Sequence, residues 1–254
     1  MAGPEPVRLS TADNICLVAR YYEGVSSGPI YILGHGFTGS ASQPRVIQIA
    51  EQLNRRGGSV LALSFRGHGA SGGLSTVGVY ETLDVEAALR WVRARRPDAP
   101  VITIGFSMGA SVVIRHAGLG GQADAVVAIS GPGRWYERGT RSMRRVHFGV
   151  ETRLGRFVLD HAFKTRIGGG WDVLPASPVE LASAVSAPLL VVHGDADTYF
   201  GLEHGRMLAT AAPDAELWIE AGMGHAENAT TADLLDRIDS WCRRAVRRSA
   251  TMSQ

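Results

Sequence analysis

Ser107 lies at the centre of Gly-Phe-Ser-Met-Gly, residues 105–109, with the apolar or β-branched run Val101 to Ile104 before it and the helix-like SVVIRHA after it. Read as strand, sharp turn and helix, the segment lifts the serine hydroxyl clear of a sheet, and Gly105 and Gly109 relieve the crowding of such a turn. A serine hydroxyl is a poor nucleophile at neutral pH. It needs a base within hydrogen-bond reach, an acid that orients the base, and donors for the oxyanion formed when it attacks a carbonyl. Gly-x-Ser-x-Gly also arises by chance, so the pentapeptide gains weight only if the chain supplies those parts elsewhere. Two places offer them: HGDADTYF, residues 193–200, with Asp195 and Asp197, and the loop EAGMGHAEN, residues 220–228, with His225.

The elements that must position these groups follow from the apolar pattern. Residues from Val7 to about Tyr22 read as an antiparallel hairpin turning near Asp13 and Asn14. Ile30 to Leu33 is a strand ending in GHGFTGS, and Pro44 to Arg56 is a helix with Val46, Ile47, Ile49, Ala50 and Leu53 on one face. Ser59 to Phe65 repeats the pattern as a buried strand before RGHGASGG. A helix from Thr82 to Arg95 follows, its core stripe drawn from Leu83, Ala87 and Trp91, with Leu89 and Val92 beside them. Ala125 to Ile129, Pro188 to Val192 and Ala215 to Ile219 are further strands; Leu202 to Ala211 and Ala232 to Arg247 are helices, with a frayed tail after Arg248. Strands alternating with helices predict an α/β fold: a mostly parallel sheet with helices on both faces, in one domain over residues 1–254.

In an open parallel sheet the reacting groups gather at the carboxyl ends of strands. Among eight histidines, His225 follows the last strand and precedes the last helix, which makes it the base. Asp197, four residues past His193, is the acid, because the chain has turned away from its strand there; Asp195 is expected to cap that turn through backbone N–H groups. The chain order Ser107, Asp197, His225 is the one described for the α/β-hydrolase elbow. Through GHGFTG, RGHGASGG, GFSMGA, HGDAD and GMGH, each after a predicted strand and spread over residues 34–225, the sequence resembles the α/β-hydrolase superfamily across most of its length. The resemblance implies an oxyanion hole formed by the backbone N–H groups of Phe37 and Met108, with His35 ordering its loop rather than acting as a base. It also implies a small cap, here the insert at about residues 131–187, and a serine esterase or thioesterase acting without cofactor or metal. Phe65 departs from the pattern, since relatives often carry an acid there.

Competing readings use the same residues. GHGFTG is also a literal G-x-G-x-x-G between strand and helix, and Arg66 could meet a 2′-phosphate, giving an NADP-dependent oxidoreductase in which the elbow, acid and histidine are coincidences. A hydrolase-like fold can also serve as a non-catalytic ligand-binding scaffold. The histidines show neither H-E-x-x-H nor H-x-H spacing for a metal. The net charge of +2 is too small to imply a nucleic-acid partner. No apolar run approaches a membrane span, and the start MAGPEPVRLS lacks a secretory signal, so a cytoplasmic protein is expected. The two cysteines, Cys16 and Cys242, read as buried thiols.

Charge is concentrated in the insert. From residue 131 to 170 there are nine Lys or Arg against three acids, a surplus of six. This is either a solvated helical face or a surface that attracts an anionic substrate or partner, such as an acidic carrier protein or a coenzyme A thioester. Trp135, Tyr136, Phe148, Phe157, Phe163 and Trp171 form either an acyl pocket or the cap's own core. The run Gly168 to Gly170 is a possible hinge for lid motion. Ester, thioester, amide and lactone cleavage share this machinery, as does acyl transfer, so the bond cleaved stays open at this level.

Overall fold

The computed structural model describes residues 3–169 and 174–252. In chain order its elements are β1 (Glu5–Ser10), β2 (Cys16–Tyr22), β3 (Ile30–Gly34), α1 (Pro44–Arg55), β4 (Ser59–Leu63), α2 (Glu81–Arg95), β5 (Val101–Phe106) and α3 (Met108–Gly118). They continue with β6 (Ala125–Ile129), α4 (Arg141–Glu151), α5 (Arg153–Phe163), α6 (Pro178–Ala182), β7 (Leu189–Gly194), α7 (Leu202–Ala211), β8 (Ala215–Glu220), α8 (Ala226–Ala229) and α9 (Ala232–Met252).

The strands form one sheet in the order β1-β2-β4-β3-β5-β6-β7-β8. The expected N-terminal hairpin lies at one edge and pairs antiparallel with β4; every later pairing is parallel. One core cluster joins the sheet to α2, α3 and α7, the other to α1 and α9. With both faces covered, β3 to β7 are buried along their whole length, which is why they read as continuous apolar runs rather than alternating ones. Register then decides which loops meet. Gly34 pairs with Gly105, so the loop after β3 and the turn after β5 leave the sheet level with each other. Gly194 pairs with Glu220, which does the same for the loops after β7 and β8.

Several elements differ from the sequence reading for identifiable reasons. The buried face of α2 includes Glu81, Asp84, Val85, Ala88 and Val92, whereas Leu83 and Trp91 are only partly buried. Two acids point inward because they have work there: Glu81 accepts hydrogen bonds from Ser75, Thr76 and Gly78, and Asp84 pairs with Arg66. Strand β4 ends at Leu63 rather than Phe65, because the Phe65 N–H is taken by His35. Helix α9 continues to Met252, past the point where fraying was expected. Cys242 is buried as predicted, but Cys16 is exposed.

The insert does not act as a single piece. Its last helix, α6, packs on α3 and α7 of the main body. The covering part is the hairpin of α4 and α5, each started by a threonine: Thr140 accepts from the Met143 N–H and Thr152 from the Gly155 N–H. The two helices approach so closely that a Cβ on Gly155 would lie 2.2 Å from the Phe148 carbonyl oxygen. Residues 164–168 then strap the hairpin to the main body through Gly69 N–H to Lys164 O, Ser75 N–H to Arg166 O and Gly168 N–H to Ser75 O, at 2.8–2.9 Å. The predicted glycine hinge is therefore bonded down at Gly168, and Gly170 lies outside the described residues.

Candidate active site

Ser107 stands between β5 and α3 with φ 50° and ψ −113°, a conformation that costs a non-glycine residue about 1–3 kcal/mol. It is held there by its own N–H, which donates to Ile129 O at 2.9 Å, and by the flanking glycines. A Cβ on Gly105 would lie 2.2 Å from Gly109 O, and one on Gly109 2.3 Å from Gly34 O. The turn predicted from GFSMG can be made only with glycine at both places.

The hydroxyl meets the expected partners. Ser107 Oγ is 2.8 Å from His225 Nε2, and His225 Nδ1 is 2.7 Å from Asp197 Oδ2. A carboxylate accepts only, so Nδ1 carries the proton and Nε2 is left free to receive the serine's. Burial pushes the Asp197 carboxyl up. The His225 ring and the N–H groups of Tyr199 and Phe200 outweigh it and hold the group below the ordinary carboxylate range. Asp197 thus caps its own turn with Oδ1 while it binds His225 with Oδ2, and the turn-capping role expected of Asp195 is not that residue's. Asp195 instead accepts the Gly222 N–H at 2.6 Å, lacing the loop after β7 to the histidine loop after β8.

Phe37 and Met108 both line the cavity above Ser107. Neither backbone N–H has a hydrogen-bond partner among the described residues, and Met108 is the first residue of α3, where helix N–H groups have no intrahelical acceptor. Both residues thus bring an N–H with no described partner to the lining of the cavity that holds Ser107. His35 is fully buried, accepts the Phe65 N–H at Nε2 and donates from Nδ1 to Gly36 O at 2.7 Å. Burial, aided by the nearby His68 ring, lowers its pKa to about 3, so it is a neutral strut and no base. Phe65, the departure from the expected pattern, packs edge-on against His35 with ring centroids 4.9 Å apart.

Two contacting residues were not singled out from sequence. Tyr199 stacks on His225 with ring centroids 4.2 Å apart and planes 23° from parallel. It lies within the HGDADTYF segment, but the stacking has no sequence signature. Glu227, buried two residues past His225, accepts the Gly36 N–H at 3.2 Å. A Cβ on Gly36 would lie 3.1 Å from its Oε2 and 3.3 Å from Ser107 Cβ, so a carboxylate borders the nucleophile.

The cavity has a volume of about 830 Å³. Ser107 and His225 lie at its base, and Trp135, Tyr136, Phe148 and Phe163 of the insert line it above. Phe157 does not: it is 58% exposed and stacks on His161. Trp171 lies outside the described residues. Nor do the residues fit a dinucleotide. Arg66 is buried between Asp13 and Asp84, each at 2.7 Å, and the Gly36 N–H that would face a pyrophosphate is already held by a carboxylate.

Comparison with known proteins gives the family and the fold. A family model described as serine aminopeptidase, S33, matches residues 27–173. A monoacylglycerol lipase of Mycolicibacterium smegmatis is 28% identical over 249 residues, covering 84% of this chain and 87% of that protein. Human protein ABHD12B is 27% identical over 203 residues, but the match spans only 53% of its length. Among solved structures, the Pyrococcus furiosus esterase Pf2001 superposes with a TM-score of 0.77 at 26% identity, covering 96% of this chain and 93% of that one. With its fold and more than half of its length matched, the chain belongs to the S33 serine aminopeptidase family of the α/β-hydrolase superfamily and is an enzyme of the hydrolase class.

Proposed function

We propose that the protein hydrolyses carboxylic esters through an acyl-enzyme on Ser107. The observation that carries the reading is the continuous hydrogen-bonded relay from Ser107 through His225 to Asp197 at the base of an apolar cavity. His225 Nε2 takes the serine proton as Oγ bonds to the carbonyl carbon. The resulting oxyanion sits between the Phe37 and Met108 N–H groups. Collapse breaks the carbon–oxygen bond to the alcohol, which leaves with the proton now on His225. Water then loses a proton to His225 and attacks the acyl carbon, releasing the acid and restoring the Ser107 hydroxyl. Asp197 stays ionised throughout and keeps the ring in the productive tautomer. An intact relay also counts against a purely ligand-binding scaffold. The relatives' names, a lipase and an esterase, favour an oxygen ester over a thioester as the substrate.

Labelling with a fluorophosphonate probe, together with turnover of p-nitrophenyl esters and acyl thioesters of graded length, tests this. Wild type is expected to label and to prefer esters, and S107A to do neither, losing at least about a thousandfold in kcat/KM. An S107A protein with wild-type turnover would sink the mechanism, and a folded wild type that never labels would point to the binding scaffold.

A further inference from the structure

Among the described residues no helix is long and apolar enough to cross a membrane, yet the cap carries apolar surface that no other part of the described chain covers. We propose that the α4–α5 hairpin docks on an anionic lipid bilayer, with the mouth of the cavity opening onto it. On α5 the residues Leu154, Phe157, Val158 and His161 follow the spacing i, i+3, i+4, i+7 and form one stripe. Gly155 and Leu159, on the adjoining face, are buried. The stripe is therefore apolar surface wider than α4 can cover: Leu154, Phe157 and Val158 are 63%, 58% and 43% exposed. Phe148 and Phe163 beside it are also more than half exposed.

Three features select the occupant. First, Phe148, Val158 and Phe163 both line the cavity and face outward, so the mouth opens within the apolar patch. An acyl chain could then pass from bilayer to Ser107 without crossing water. Second, cations flank the patch: Arg144 stands four residues before Phe148 on α4, Arg153 precedes Leu154 and Lys164 follows Phe163, against one exposed acid on α5, Asp160. Arg144, Arg153 and Lys164 are exposed and sit in no salt bridge among the described residues, and their long stems let the charges reach phosphates while the stripe enters the acyl boundary. Third, that same positive surplus disfavours a second copy of this face, where like charges would meet. An exposed apolar stripe flanked by basic residues is the chemistry of an interfacial helix on anionic lipid. Docking does not depend on the catalytic reading; delivery of an acyl ester through the mouth does.

The test is sedimentation with vesicles of phosphatidylcholine alone and with about one-third phosphatidylglycerol. The protein is expected to bind the phosphatidylglycerol vesicles, and far more weakly at high salt or on phosphatidylcholine alone. L154S/F157S should lower the partition coefficient about tenfold and R144Q/R153Q/K164Q about a hundredfold, near fivefold per cation. None of these five residues lines the cavity, so both variants should hydrolyse a short soluble ester like wild type. Absence of vesicle binding by wild type, or equal binding by wild type and both variants, overturns the proposal. So does a dimer that L154S/F157S abolishes, or capture of an acidic carrier protein, if either occurs without vesicle binding. Vesicle binding with no soluble-ester turnover would leave docking standing and remove the catalytic reading alone.

Discussion

Glu227 shows how one side chain can matter without touching the reacting atoms. Its carboxylate fixes the Gly36 N–H, and with it the loop that carries the Phe37 donor, to the same short helix that follows His225. Removing the acceptor in E227A is expected to lower kcat about tenfold with little change in KM, because the loss falls on a donor used mainly in the transition state. E227Q keeps an acceptor oxygen and should recover most of that loss in the same kinetic assay. Equal losses in the two variants would instead make the negative charge the relevant property. His35 provides a residue-scale pH effect. Its folded pKa of about 3 lies below the unfolded value near 6.5, so between those values the unfolded chain binds the extra proton. Stability is then fully present above about pH 6.5 and is lost as pH falls toward 3, with a slope of up to about 1.4 kcal/mol per unit from this group. Urea unfolding of wild type and H35N across that window should give a shallower fall in the variant. That Ser107, Asp197 and His225 come together was legible in the sequence because their residue types occur at strand ends, where few alternatives survive. Glu227 and Tyr199 were not, because hydrogen bonding to a distant loop and ring stacking leave no periodic trace.

At the scale of elements, the turn between β5 and α3 was readable because its geometry excludes every residue but glycine at two places. G105A forces a Cβ to within 2.2 Å of Gly109 O and is expected to destabilise the protein by about 3 kcal/mol or more. G139A, where a Cβ meets nothing within 4 Å, should leave the urea midpoint unchanged. A G105A midpoint equal to that of wild type would show the turn able to relax. The α2 stripe was misread for the opposite reason. Helical periodicity assigns the inner face to apolar residues, whereas Glu81 and Asp84 are drawn inward by loop N–H groups and by Arg66, partners that local sequence does not reveal. Phe157 was read as pocket or cap core from its type alone, and it is neither. Only the rotation of α5 on α4 could show that it faces out.

Across the whole molecule, the sheet sets the position of the relay and the cap sets the shape of what reaches it. That the sheet is mostly parallel, with its loops gathered at the carboxyl ends of the strands, was implicit in the alternation of strand and helix, whereas strand order and register depend on long-range pairing that local sequence does not reveal. The cap has no such rule, and its composition alone did not separate pocket, core and surface. Its control over substrate is testable at Val158, which lines the cavity near its mouth. V158W should move the preferred acyl chain toward shorter esters, with a loss of about tenfold or more in kcat/KM for the longest and little for acetate. An unchanged chain-length profile would place selection elsewhere.

The seam between the Asp195 loop and Gly222 has a consequence in time. In the proposed mechanism the acid and base arrive together from the loops after β7 and β8, whereas the nucleophile and both oxyanion donors belong to the loop after β3 and the turn after β5. His225 follows Ser107 by 118 residues, so a ribosome has made the serine turn long before anything can take its proton. The growing chain holds an inert hydroxyl until the last edge of the sheet is laid down. Onset of the proposed reactivity therefore waits on β8, the last strand of the sheet to be made.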